Sequence, residues 1–266
     1  MAGRRRLDTE LVRRGLARSR EHAADLVTAG RVQVSGRPSV KPASSIDASV
    51  GIVVRGDPGD DYVSRGAHKL VGALESFAPA LSVRGRRCLD AGASTGGFTD
   101  VLLRSDAAEV VAVDVGYGQL DWRLRTDARV VVHDRTNVRS LTPDMIGGRV
   151  DLAVADLSFI SLRLVLPALS ECTHPAGDLL LMVKPQFEVG RDNLGAGGVV
   201  RDPGLRAEAV RSVAAAGLAC GWGTAGVVAS LLPGPSGNVE YFVWLRADAA
   251  PPDDGAVRAA VDRGPA

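Results

Sequence analysis

The segment Cys88-Leu89-Asp90-Ala91-Gly92-Ala93-Ser94-Thr95-Gly96-Gly97-Phe98 runs from apolar residues into a glycine-rich turn. Its apolar start predicts a strand over 86–91, and the residues after the turn predict a helix beginning at Gly97. Glycines between a strand and a helix let the backbone approach a ligand at the carboxyl edge of a sheet, where open α/β folds bind. The spacing is not the G-x-G-x-x-G of dinucleotide sites, and no Gly-Lys-Ser/Thr of a phosphate loop follows. A turn without that lysine suits a ligand without a polyphosphate.

Outward from the turn, apolar strands and helices alternate. Strands are expected at 109–115, 129–133, 150–156, 178–184, 224–230 and 239–245. Helices are expected around 120–124, 162–169 and 205–216, with a glycine-rich loop at 190–204 that closes over the site. Strands separated by such helices imply right-handed crossovers and a mostly parallel, two-faced sheet. Asp114 ends the second strand, 22 residues after Gly92, where an acid accepts from ribose hydroxyls. Asp134 follows the third strand and is placed to accept from an adenine amino group. An acid after each of three successive strands, Asp90, Asp114 and Asp134, indicates a nucleoside cofactor. Gly92, Ala93, Ser94, Thr95, Gly96, Gly97 and Phe98 complete its expected contacts.

Four charged residues stand at strand ends or helix starts. Asp156 ends the fourth strand and Lys184, between Val183 and Pro185, ends the fifth. Lys69 lies in Ser64-Arg65-Gly66-Ala67-His68-Lys69-Leu70, and Glu240 follows Pro233-Gly234-Pro235-Ser236-Gly237-Asn238-Val239. Methyl transfer from a sulfonium to a ribose hydroxyl needs the oxygen aligned and relieved of its proton. A desolvated, crowded lysine can drop below its usual pKa of about 10.4 and accept that proton. If it stays charged, it stabilises the developing alkoxide. Asp156 and Glu240 would hold the lysines. The residue pattern leaves both roles open for Lys184.

Residues 1–58 read as a small, arginine-rich unit. Asp8 is expected to cap a first short helix, and Ser19 a second that ends at Gly30. Strands are expected at Val32–Val34 and near 50–54, with a Ser35-Gly36 turn. Arg4, Arg5, Arg6, Arg13, Arg14, Arg18 and Arg20 crowd the first twenty residues of a chain with net charge +1. Such local charge suggests an anionic partner, with Arg4, Arg6, Arg14, Arg18 and Arg20 touching phosphates. Arg65 and His68, beside Lys69, would hold nucleic-acid backbone near the target. Residues 59–64 read as a linker, 65–247 as the α/β domain, and 248–266 as a disordered tail rich in Ala, Pro, Gly and Asp. The three cysteines are widely spaced and form neither a zinc-ligand pattern nor a disulfide framework, so no metal is expected. No apolar run reaches bilayer length and no secretory signal is visible, which predicts a cytoplasmic protein without a membrane partner.

The order Lys69, Asp156, Lys184, Glu240 resembles the Lys-Asp-Lys-Glu tetrad of the FtsJ-like ribose 2′-O-methyltransferases. The turn Gly92–Phe98 is similar to their S-adenosylmethionine loop. Ser19-Arg20 through Ala24, Leu26, Gly30, Val32 and Lys41-Pro42 resembles the S4-type RNA-binding domain. Taken together, these motifs resemble the TlyA family, also labelled haemolysin-like. The resemblance implies a Rossmann-like class I methyltransferase with a mostly parallel seven-stranded sheet, preceded by a small α+β RNA-binding domain. It implies a monomer that uses S-adenosyl-L-methionine to methylate cytidine 2′ oxygens in ribosomal RNA of 30S and 50S subunits (16S and 23S), favouring sensitivity to capreomycin-type antibiotics. One departure is Asp60-Asp61-Tyr62-Val63, where relatives carry Trp before Val-Ser-Arg-Gly. Rival classes are an RNA-binding assembly factor, a membrane-lytic protein and, within the enzymes, a transfer RNA methyltransferase.

Overall fold

The computed structural model describes residues 4–14, 16–17, 19–39, 41–47, 50–54, 62–234 and 236–265. The chain divides into two compact units, residues 1–61 and 62–266.

In the first unit, strand β1 (Arg4–Arg6) leads into helix α1 (Leu7–Arg13), followed by α2 (Arg20–Thr28), β2 (Val32–Val34), β3 (Arg37–Pro38), β4 (Ser45–Asp47) and β5 (Ile52–Val54). Strand β1 pairs antiparallel with β4, and β2 lies between β3 and β5. Leu7, Leu11, Ala23, Leu26, Val27 and Val32 make the small core. Ser19 caps α2 as expected, its hydroxyl accepting from His22 N at 3.1 Å. Asp8 does not cap α1. The helix opens two residues earlier, with Arg6 at its N-cap position and Leu7 in the core. The Asp8 carboxylate instead lies buried and accepts from Arg6, Arg20 and Thr9.

In the second unit, α3 (Gly66–Phe77) precedes β6 (Arg87–Ala91), α4 (Gly97–Arg104), β7 (Glu109–Val113), α5 (Trp122–Arg125), β8 (Val130–His133) and β9 (Val150–Ala155). Then come α6 (Leu166–Cys172), β10 (Thr173–Val183), α7 (Pro185–Glu188), α8 (Pro203–Ala219), β11 (Gly223–Ala229), β12 (Tyr241–Arg246) and α9 (Asp254–Asp262). The seven strands lie in the order β11-β12-β10-β9-β6-β7-β8. Strands β8, β7, β6, β9 and β10 are parallel, and β12 runs antiparallel to both its neighbours. Successive strand residues point to opposite faces. Leu89, Val111, Ala153, Leu181 and Val243 therefore pack with α6, α8 and α9. Cys88, Val110, Leu152, Leu180 and Phe242 pack with α3 and α4. Burial on both faces explains why these strands read as unbroken apolar runs.

Two expectations are corrected. The single helix at 162–169 is a 3-10 turn, Leu162–Leu164, followed by α6. The tail is not without structure: α9 lies in it. Asp253 caps α9 by accepting from Ala256 N at 2.8 Å, and Val257, Ala260 and Val261 are buried. Those three positions, spaced i, i+3, i+4, make one apolar face, and the polar composition around them hides it.

Candidate active site

Sheet register brings the turn, Asp156 and Lys184 to one edge. Strands β6, β9 and β10 are neighbours, with Ala91 opposite Ala155 and Ala155 opposite Leu181. The residues just past each strand therefore emerge together. Gly92 N and Ala93 N donate to Val113 O at 2.8 and 3.1 Å, which ties the turn to the end of β7. Gly92 has φ +88°, and a Cβ there would stand 2.6 Å from the Asp156 carbonyl. Gly96 has φ +100°, and its Cβ would collide with Leu120 and Leu124. These glycines thus make room for the packing of the chain on itself. Gly97 packs against Ser64 and Ala67 at the start of α3.

Asp114 orders the tip of the turn, accepting from Ser94 N at 2.8 Å and Gly116 N at 2.7 Å. Ser94 and Thr95 are exposed, whereas Ala93 and Phe98 are buried, Phe98 against Phe242. Asp90 is fully buried and accepts from Thr99 Oγ1 at 2.6 Å. Burial pushes its carboxyl up to about 7 against the pull of that hydrogen bond. Its Oδ1 has no hydrogen-bond donor among the described residues. Asp134 accepts from Arg125 at 2.7 Å, and that guanidinium holds its carboxyl below the usual range.

The four charged residues form two ion pairs. Lys69 Nζ donates to Glu240 Oε2 at 2.6 Å, and both residues are buried. Lys184 Nζ donates to Ser158 Oγ at 2.9 Å and stands 2.6 Å from Asp156 Oδ1. That second contact engages Asp156 Oδ1 in the ion pair, whereas Glu240 Oε1 is buried with no hydrogen-bond donor among the described residues. The pairs are linked through α3: a Cβ on Gly66, one turn before Lys69, would lie 3.9 Å from Asp156 Oδ2. Each lysine faces a carboxylate, and among the described residues neither ion pair includes a second cation.

Several site features escaped the sequence. Phe159 is 92% exposed with φ +64° and lies 5.3 Å from the Phe187 ring. Exposure of a large aromatic beside a charged centre leaves no local signature in the chain. Asn238 is buried and bonds Val200 N and Gly198 O, so the far end of the 190–204 loop is tethered beside Glu240. Glu188 is buried four residues after Lys184, where it reads as a loop charge.

The arginines of the first unit are mostly engaged within it. Arg4 donates to Ser45, Arg6 and Arg20 pair with Asp8, and Arg14 pairs with Glu10. The Arg20 side chain is 63% exposed and that of Arg14 only 22%. Arg18 lies outside the described residues. In the second unit Arg65 is exposed, and His68 meets the Tyr62 ring edge-on at 5.4 Å. Arg104 covers the other ring contact of Tyr62, at 4.4 Å from its centroid.

Comparison with known proteins agrees with this geometry. The FtsJ-like methyltransferase model matches residues 62–247, and the S4 domain model matches residues 5–49. The chain is 63% identical over 246 residues to the 16S/23S rRNA (cytidine-2′-O)-methyltransferase TlyA of Mycobacterium tuberculosis, covering 92% of this chain and 91% of that one. It is 35% identical over 184 residues to the 23S rRNA (cytidine-2′-O)-methyltransferase TlyA of Campylobacter jejuni, covering 69% and 70%. The solved structure of a candidate hemolysin from Streptococcus thermophilus superposes with a TM-score of 0.77 at 37% identity, covering 99% and 96%. A C-terminal unit with the sheet order and paired lysines described above, and an N-terminal unit matched as an S4 domain, place the chain in the FtsJ-like methyltransferase family, among its TlyA members.

Proposed function

We propose that this chain transfers a methyl group from S-adenosylmethionine to the 2′ oxygen of a cytidine in ribosomal RNA. The observation that carries this reading is the pair of lysine–carboxylate couples joined to the glycine turn through the start of α3. The residues fit the cofactor. Asp90 offers a buried acceptor with no donor, suited to an ammonium group, and Asp114 stands at the carboxyl edge where ribose hydroxyls are received. The cofactor supplies an electrophilic methyl on a sulfonium.

Every other part of the step falls to the chain. Lys184, held by Ser158 and Asp156, acts as a charged donor that lowers the cost of negative charge developing on the 2′ oxygen. Asp156, whose side chain is a quarter exposed beside Lys184, would accept the hydrogen bond of the 2′ hydroxyl and orient its oxygen for attack. Lys69 and Glu240 brace α3 against β12 at the rim. A ribose inside a helix cannot reach this edge, so the target nucleotide is turned out of its stack. The exposed ring of Phe159 offers a face to a base so displaced.

The name of the Mycobacterium tuberculosis relative favours 16S and 23S rRNA as substrates. The proposal extends to rRNA within assembled subunits and to an attendant effect on sensitivity to capreomycin-type antibiotics. Labelled methyl transfer to purified 30S and 50S subunits, with mapping of the modified ribose, tests the reading. Lys184→Ala is expected to lower kcat by about 10²-fold or more while rRNA binding stays within about threefold. Wild-type rates in that variant, or methylation of transfer RNA alone, would overturn it.

A further inference from the structure

The strongest feature outside the two lysine pairs is Glu188. Its side chain is 1% exposed, although it closes a short helix next to a solvent-facing edge. Burial pushes its carboxyl above the ordinary range, against the pull of its hydrogen bonds. A charge placed at such cost is expected to be fully employed, and this one is. Glu188 Oε2 accepts from Ser161 Oγ at 2.5 Å, and Oε1 accepts from Leu162 N at 2.7 Å. Arg163 Nε lies 3.5 Å away.

The two elements joined in this way carry the proposed catalytic centre. Glu188 ends α7, which begins at the residue after Lys184. Ser161 and Leu162 end the loop that leaves β9 through Asp156, Ser158 and Phe159. One end of that loop is held by the sheet, with Asp156 N donating to Ala91 O at 3.1 Å. The other end is held by Glu188. Between these two anchors lie both groups that touch the Lys184 ammonium, together with Phe159 in its left-handed conformation. A non-glycine residue persists there only when its surroundings over-determine it.

We propose that Glu188 is a positioning residue: it clasps the 156–161 loop to the Lys184 turn and so sets Asp156 and Ser158 on the lysine and holds Phe159 outward. This rests on the reading of Lys184 given above. Glu188 touches no reacting atom, so its loss should appear in kcat and leave cofactor binding in place, because Asp90 and Asp114 lie on other strands.

The test uses the full-length chain and four variants, with labelled methyl transfer to ribosomal subunits, calorimetric binding of S-adenosylmethionine and thermal unfolding. Glu188→Gln keeps the length and one carbonyl acceptor and is expected to hold kcat within about threefold of wild type. Glu188→Asp keeps the charge but is one methylene too short to reach both partners, and should lose tenfold or more in kcat with cofactor Kd within twofold. Ser161→Ala removes one of the two donors without burying a new group and should fall between them, which keeps the test readable if a Glu188 variant folds poorly. Lys184→Ala is measured alongside. If Lys184→Ala stays active, the reading of the lysine fails, whatever Glu188 does. If Lys184→Ala is inactive while Glu188→Asp keeps full kcat, the clasp is overturned. Parallel loss of kcat, cofactor affinity and Tm in Glu188→Asp also overturns it, because a general structural brace would behave in that way.

Discussion

At the scale of single residues, the site depends on where charge is buried and what meets it. Asp90 titrates near 7 because burial penalises its charged form. The native chain therefore retains a proton at Asp90 that the unfolded chain releases near pH 4. The stability contributed by that proton is complete below about pH 4 and is lost as pH rises to about 7. Asp90→Asn is neutral throughout and should flatten this part of the profile. Urea midpoints measured from pH 4.5 to pH 8 are expected to converge at the acid end and to favour the variant at the alkaline end. An unchanged slope would mean that Asp90 is not the titrating group. The same residue-level accounting separates the arginines. Arg20, largely exposed, has its guanidinium available at the surface, while Arg14 is spent on buried Glu10 and the Val50 carbonyl.

At the scale of elements, short-range pattern and long-range packing divide the work. The parallel strands formed where apolar runs were expected, with ends shifted by a residue or two as boundaries generally are, except that β10 begins at Thr173, five residues before the expected start. Helix α9 formed where none was expected. It packs on α8 and β11, and Thr224 N donates to Ala250 O just ahead of it. Removing residues 253–266 would uncover Val210, Val213 and their neighbours on that face. Three apolar side chains leave the core, at roughly 1–2 kcal/mol each for valine and alanine. For a unit of this size the Tm should fall by about 6–24 °C, measured by calorimetry on the shortened chain. A shift below about 2 °C would show that α9 is not part of the cooperative core.

At the scale of the whole molecule, the chain joins a unit rich in arginine to one that carries the chemistry. Net charge is only +1, so attraction to RNA must come from local clusters rather than from the field of the whole protein. Binding to ribosomal subunits should weaken steeply between about 50 and 200 mM salt, by tenfold or more. Arg20→Ala should reduce the slope of log K against log salt by about 1, the value for one lost phosphate contact. Arg14→Ala should leave the slope unchanged and lower the stability of residues 1–61, since its guanidinium holds a buried carboxylate. Filter binding over a salt series, with thermal unfolding of both variants, distinguishes the two. Equal slopes for Arg20→Ala and wild type would remove that arginine from the RNA surface.

What the chain determined by itself was everything carried by local pattern. Apolar runs marked strands buried on both faces, and the residue after each run had to emerge at one edge. Sequence alone therefore places Asp90, Asp114, Asp156 and Lys184 at one edge, because parallel strands all end on the same side of their sheet. Tertiary structure decided what depends on residues far apart in sequence. It joined Lys69 to Glu240 across 171 positions, set Glu188 against Ser161 and Leu162, and left Phe159 exposed. It also showed that Gly92 and Gly96 make room for Asp156, Leu120 and Leu124 of the same chain. The physical reason is common to all of these. Periodicity is written in neighbouring residues, whereas burial of a charge, close approach of backbones and exposure of a ring exist only once distant segments meet.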